Sequence, residues 1–128
     1  MAGFRDFREI VAWQLSRDVR LLAYQLVKQP DVARDFKFRD QLLDASRSAP
    51  RNIAEGFARY QHKEFAQFVR IAKGSVAEVL DHFIDAVDNG YLPPADFPRH
   101  EHACKKALAA INGLIRYLET TPDAPKKS

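Results

Sequence analysis

Long stretches without a turn signal are what most constrain this chain. Only five glycines occur, Gly3, Gly56, Gly74, Gly90 and Gly113, and turn-forming clusters lie far apart. Between them the apolar residues recur near every 3.6 positions, and no window alternates as a strand does. The reading is all-α, in four segments. The first covers about residues 6–29 and is ended by Pro30-Asp31, because proline cannot continue the backbone ladder. The second covers about 36–60 and contains Pro50. The third covers about 63–89, with Gly90 as its C-terminal stop, and Leu92-Pro93-Pro94 follows as a rigid connector. The fourth covers about 97–119, with Asp96 as N-cap and Pro98 in the first turn. Long helices with short connections imply an antiparallel up-down four-helix bundle. The 128 residues fit one domain, a bundle over 1–119, with a proline- and lysine-rich tail over 120–128 expected to be disordered.

The first helix carries two apolar stripes. Phe7, Val11, Leu15, Val19, Leu22 and Leu26 form one, and Ile10, Trp13, Leu21 and Tyr24 form another roughly 150° away. One stripe suffices to reach the core of a bundle. The second, with its aromatics, is the candidate interface of a homo-oligomer. The fourth helix has a single stripe, Ala107, Leu108, Ile111, Leu114, Ile115 and Leu118. The second is lined by Leu42, Ala45, Ser46, Ala49, Ile53 and Phe57, whose small members permit close helix approach.

The net charge of +3 is too small to identify a partner, so its distribution matters. From residue 45 to 75 the cations are Arg47, Arg51, Arg59, Lys63, Arg70 and Lys73, against Glu55 and Glu64. From 76 to 101 the acids Glu78, Asp81, Asp85, Asp88, Asp96 and Glu101 face Arg99 alone. Acids in the last turn of a helix oppose its dipole, so helix stability does not explain Asp85 and Asp88. The six cations are the candidate phosphate contacts for RNA or DNA, which bring affinity without sequence specificity. A solvated face is the bland alternative, with Arg51, Glu55 and Arg59 as a surface salt ladder at i, i+4 spacing.

Catalytic and metal-binding patterns are sparse. His100 and Cys104 share a helical face while His102 points away, and two ligands do not close a zinc site. No glutamate has a histidine three residues later, as a di-iron bundle wants. No two glycines lie close enough for a phosphate-cradling loop. Cys104 is read as a buried side chain rather than a nucleophile. No enzyme activity, cofactor or metal is expected. A single cysteine excludes an internal disulfide, and no apolar run of signal-peptide or membrane-spanning length occurs, so a cytoplasmic protein without membrane association is expected.

Asn52-Ile53-Ala54-Glu55-Gly56-Phe57 stands out, preceded by Gln41-Leu42 and Ala45-Ser46-Arg47-Ser48. Lys63-Glu64-Phe65, Phe68, Ile71-Ala72-Lys73-Gly74-Ser75 and Glu78 follow; Phe7-Arg8 and Val11-Ala12-Trp13-Gln14 lie upstream, Asn89-Gly90-Tyr91-Leu92 downstream. In this order they resemble the four-helix bundle family of 23S rRNA intervening-sequence proteins, over about residues 4–119. Gln61-His62 stand where that family often has a serine-containing capping turn. The resemblance implies a cytosolic ring, a homopentamer, whose role in the family is not established. It also implies distant kinship to the accessory variability determinant proteins of diversity-generating retroelements, which are pentameric and basic and bind nucleic acid and a reverse transcriptase.

The residues themselves give the motif a structural meaning. Gly56 and Gly74 each cost roughly 1 kcal/mol inside a helix relative to alanine, which close contact between the second and third helices would explain. Asn52 and Glu55, if buried, need partners such as the Ser75 hydroxyl. The expected function is therefore a non-enzymatic homo-oligomeric ring that binds nucleic-acid phosphates. The alternative is a protein-binding scaffold without nucleic acid.

Overall fold

The structure, a computed structural model, describes residues 4–123. A 3₁₀ turn at Phe7–Glu9 precedes α1 (Val11–Val27), the one-turn α2 (Pro30–Arg34), α3 (Phe36–Phe57), α4 (His62–Asp88) and α5 (Phe97–Thr120). The four long helices form an antiparallel bundle. Its adjacent pairs are α1–α3, α3–α4, α4–α5 and α5–α1, and α1 and α4 meet across the diagonal. No strand occurs among the described residues, and none of their helices is long and apolar enough to cross a membrane.

The first helix begins later than its periodicity predicts. Asp6 accepts the Arg8 backbone N–H at 2.8 Å and two bonds from the Arg8 side chain. That local turn competes with the helix, and Ile10 is left extended at φ −78°, ψ 122°. Pro30 does more than end α1. It stands in the first turn of α2, where its missing N–H costs nothing. Asp35 then caps α3, accepting the Phe38 N–H at 3.2 Å and the Tyr91 hydroxyl at 2.7 Å.

The core face of α1 is rotated from the expected stripe. It consists of Ala12, Ser16, Val19, Ala23 and Leu26, while Val11 is 57% exposed. Small residues win because they let backbones approach, and the larger Leu15 and Leu22 close the flank. On α3 the expected lining is buried apart from a half-buried Phe57, and the helix runs unbroken through the buried Pro50. Phe65 and Phe83 of α4, Leu42 and Ile53 of α3 and Ile111 of α5 fill the centre. Each such side chain contributes about 1.5–3 kcal/mol by leaving water.

Gly56 sits where α3 and α4 nearly touch. A Cβ there would stand 2.6 Å from Phe65 Cδ1 and 2.9 Å from Phe68 Cβ. Gly74 does not share that role: it is exposed, and a Cβ would meet nothing within 4 Å. Asn52 donates to the Ser48 carbonyl at 2.8 Å and to the Ser48 hydroxyl at 3.0 Å. The Ser75 hydroxyl lies 2.8 Å from that of Ser48, so the motif ties α3 to α4. Glu55 is exposed and outside this chain of bonds.

Gly90 stops α4 as expected, at φ +76°. Its N–H reaches the Val87 carbonyl at 3.1 Å and the Tyr91 N–H reaches that of Ala86 at 2.8 Å, the paired bonds of a Schellman ending. Asp96 does not cap α5 with its side chain. Its carbonyl instead lies 3.0 Å from His100 Nδ1. The tail expected to be unstructured from Thr120 is ordered at its start. Thr120 ends α5, and Thr121 and Asp123 bond to His62. Residues 124–128 of that tail lie outside the described residues.

Candidate nucleic-acid interface

The six cations of the sequence reading are all exposed, but they do not form one surface. Arg51 lines an open cleft between α3 and α4 with Asp44, Ser48, Ser75 and Glu78. Arg59 lies over the Phe68 ring, 4.9 Å from its centroid. Lys63 and Arg70 are brought together in a groove between α4 and α5, where Arg70 pairs with Glu119 at 2.6 Å and Asp123 lies nearby. Lys73 is on the surface of α4 and Arg47 on the seam between α1 and α3. No ion pair joins Arg51, Glu55 and Arg59 among the described residues.

A tighter cluster lies along that seam. Trp13, Arg17, Arg20 and Tyr24 fall at i, i+4, i+7 and i+11 on α1, one strip of its surface. Arg17 Cζ is 5.9 Å from the Trp13 ring centroid. Arg20 and Arg47 both lie over Tyr24, at 6.0 and 5.4 Å. Arg47 Nε donates to the Tyr24 hydroxyl at 3.2 Å, a contact that raises the arginine's pKa and holds it charged. Phe7 packs edge-on against Trp13 at 5.2 Å and supports it from the chain start. Cation–π contacts of this kind contribute about 0.5–1 kcal/mol each at exposed sites.

None of these three arginines has a carboxylate partner among the described residues. Arg8, Arg34, Arg39 and Arg70 do, with Asp6, Asp31, Asp40 and Glu119. Of the nearest acids in sequence, Asp18 lines the α1–α5 groove, and Asp44 lines the α3–α4 cleft while still favouring the charge of Arg47 from a distance. Arg20 Nε is buried without a hydrogen-bond partner. Three guanidinium groups are thus held beside two aromatic rings without an ion pair of their own, although Asp44 lies near enough to Arg47 to favour its charge. Arg17 and Arg20 lie outside the local excess of cations that begins after residue 45, so that excess does not point to them. The alternation of arginine and aromatic along one helical strip was the pattern that carried them.

The four residues of the expected oligomer stripe do not share a face. Ile10 belongs to the core, at 3% exposure, because the extended backbone at that position turns it inward. Trp13 and Tyr24 are half-buried under the arginines. Leu21 is 41% exposed and lines a separate groove between α1 and α5 with Leu15, Leu22 and Ala103. Arg99, His102 and Lys106 border that groove opposite Asp18.

Elsewhere Cys104 and His100 are sequestered. Cys104 is fully buried, and burial pushes its thiol up to about 12. A thiol so far above neutrality supplies no thiolate nucleophile. His100 is buried against Phe83, 4.8 Å away edge-on, and burial pushes its pKa down. His102 is exposed. No group of three or more His, Cys, Asp or Glu side chains placed to hold a metal occurs among the described residues.

A family model described as 23S rRNA-intervening sequence protein matches residues 8–113, from the first turn well into α5. No curated protein matches the chain. With the helical bundle and a match over most of its length, the chain belongs to the 23S rRNA-intervening sequence protein family.

Proposed function

We propose that this protein is a non-enzymatic cytoplasmic homo-oligomer that binds RNA or DNA phosphates. The observation that carries the reading is the α1–α3 seam, where Arg17, Arg20 and Arg47 have no carboxylate partner and are held in place by Trp13 and Tyr24. Cations left unpaired by their own protein are available to an outside anion, and guanidinium groups match phosphate oxygens in a bidentate fork. Leu21, exposed on the α1–α5 groove, is the candidate subunit contact. The ring of five subunits rests on the family resemblance.

Fluorescence anisotropy of labelled RNA and DNA tests the binding. Affinity should fall steeply with salt, by roughly 0.7–0.9 in the log–log slope per phosphate neutralised. Replacing Arg17, Arg20 and Arg47 by glutamine should flatten that slope by about 2–3. Unchanged slope in the triple variant counts against the seam, and no binding at low salt sinks the reading.

A second reading, a protein-binding scaffold, is favoured by the exposed acids Asp81, Asp85 and Asp88 on the C-terminal half of α4, which could receive a basic partner. Capture of such a partner would be insensitive to nuclease.

A further inference from the structure

We propose that the α1–α3 seam selects single-stranded nucleic acid over duplex, by stacking bases on its guanidinium planes. This rests on the phosphate-binding reading and deepens it. The guanidinium groups lie beside the Trp13 and Tyr24 rings, with Cζ 5.4–6.0 Å from the ring centroids. Arg17 and Arg47 are exposed, so their planes are within reach of a base, and Arg20, half-exposed with its Nε buried, backs them from the Tyr24 side. Every base has a π-face that fits such a plane, whatever its sequence.

A duplex uses the seam poorly. Its base faces are hidden in its own stack, so it can offer only phosphates. Reading it through the major groove requires a helix that projects from the protein. Here α1 and α3 lie side by side along the bundle wall, each flanked by its neighbours, and neither projects. A single strand offers regularly spaced charge and π-faces together. The strip from Trp13 to Tyr24 runs about 16 Å along α1, room for a short run of nucleotides. Arg47 is anchored by the Tyr24 hydroxyl at 3.2 Å, which lowers the ordering cost of binding. An acidic protein surface would match the charge but leave the π-faces unused.

The test exploits two features of the chain. Trp13 is the single tryptophan, so its fluorescence reports on this seam alone. Lysine keeps the charge of arginine but lacks the plane. The full-length protein is titrated with oligo(dT), oligo(U) and a hairpin duplex of equal phosphate number. Single strands should bind roughly tenfold tighter or more, each stacked base adding a factor of that order, and should change Trp13 emission. The triple variant Arg17→Lys, Arg20→Lys, Arg47→Lys keeps the charge but loses the bidentate forks, so affinity for both probes falls and the readout is their ratio, which should drop toward one.

Equal affinity of strand and duplex, with steep salt dependence, overturns the inference and leaves the phosphate reading standing. Binding without any change in Trp13 emission, or full preference retained in the lysine variant, overturns it too. Dissociation of the oligomer by the lysine substitutions would make the seam a subunit contact and overturn it. No binding of any probe would take both readings down.

Discussion

The carboxylate of Asp123 accepts the backbone N–H of His62 at 2.6 Å, closing the start of α4 from 61 residues further along the chain. The first N–H groups of a helix have no internal partner, and Gln61 supplies no side-chain cap. The ring of His62 turns the same way, with Nδ1 2.8 Å from the Thr121 carbonyl. Arg70–Glu119 fastens the groove about two turns on, and the His62 ring leans on Tyr117. The end of α5 therefore clasps the corner between α3 and α4.

Asp123→Ala should cost about 0.5–2 kcal/mol of stability, as loss of an N-cap does, although the change lies near the chain end. Asp123→Asn should recover most of it, because the amide oxygen still accepts. Urea midpoints of the three proteins check this. Equal midpoints for wild type and alanine variant would show that the cap contributes nothing.

The two glycines of the family motif should respond in opposite ways. Gly56→Ala drives a methyl group against Phe65 and the Phe68 Cβ, and overpacking of that kind costs about 1–3 kcal/mol. Gly74→Ala meets nothing within 4 Å and should stabilise the protein by up to about 1 kcal/mol. Thermal unfolding of both variants gives the signs directly. A destabilised Gly74→Ala would mean that its bare helix surface is covered in the assembled protein.

Much of the bundle was legible along the chain. The extents of α4 and α5, the stop at Gly90 and the close approach at Gly56 follow from local chemistry. What was not legible depended on distance or on size. The cap of α4 comes from Asp123, which no local pattern can connect to His62. The core face of α1 was misplaced because large apolar residues dominate a periodicity, whereas Ala12, Ser16 and Ala23 do the packing. Along the sequence Trp13 and Tyr24 form half of an apolar stripe, and only the seam shows them as platforms for arginines of two helices. The six cations chosen from local charge excess were scattered by the fold over several edges of the bundle.

His100 gives stability a defined pH dependence. Burial lowers its folded-state pKa below the ordinary 6.5, so the unfolded chain binds the proton more readily. Stability should be full above that ordinary value and fall as pH drops from it toward the lowered one. Asp35, whose pKa is lowered by the Tyr91 hydroxyl and then the Phe38 N–H, adds a loss below the ordinary carboxylate range. His100→Phe should flatten the first limb and leave the second. Urea midpoints across pH 2–8 measure both limbs, and an identical first limb in the variant would exclude His100 as its source.

Leu21 offers the most direct test of assembly. It is 41% exposed on a groove whose other apolar members, Leu15, Leu22 and Ala103, are already half-buried by the bundle. Leu21→Glu therefore removes apolar surface from the groove without opening a core cavity, and it adds a carboxylate beside Asp18. A subunit contact there should weaken through lost burial and like-charge repulsion, while the monomer fold, read by helical circular dichroism, stays intact. Light scattering should then report a smaller mass than wild type at equal concentration. Wild-type mass in the variant would move the contact away from this groove, and the basic seam and the acidic half of α4 would be the next faces to substitute.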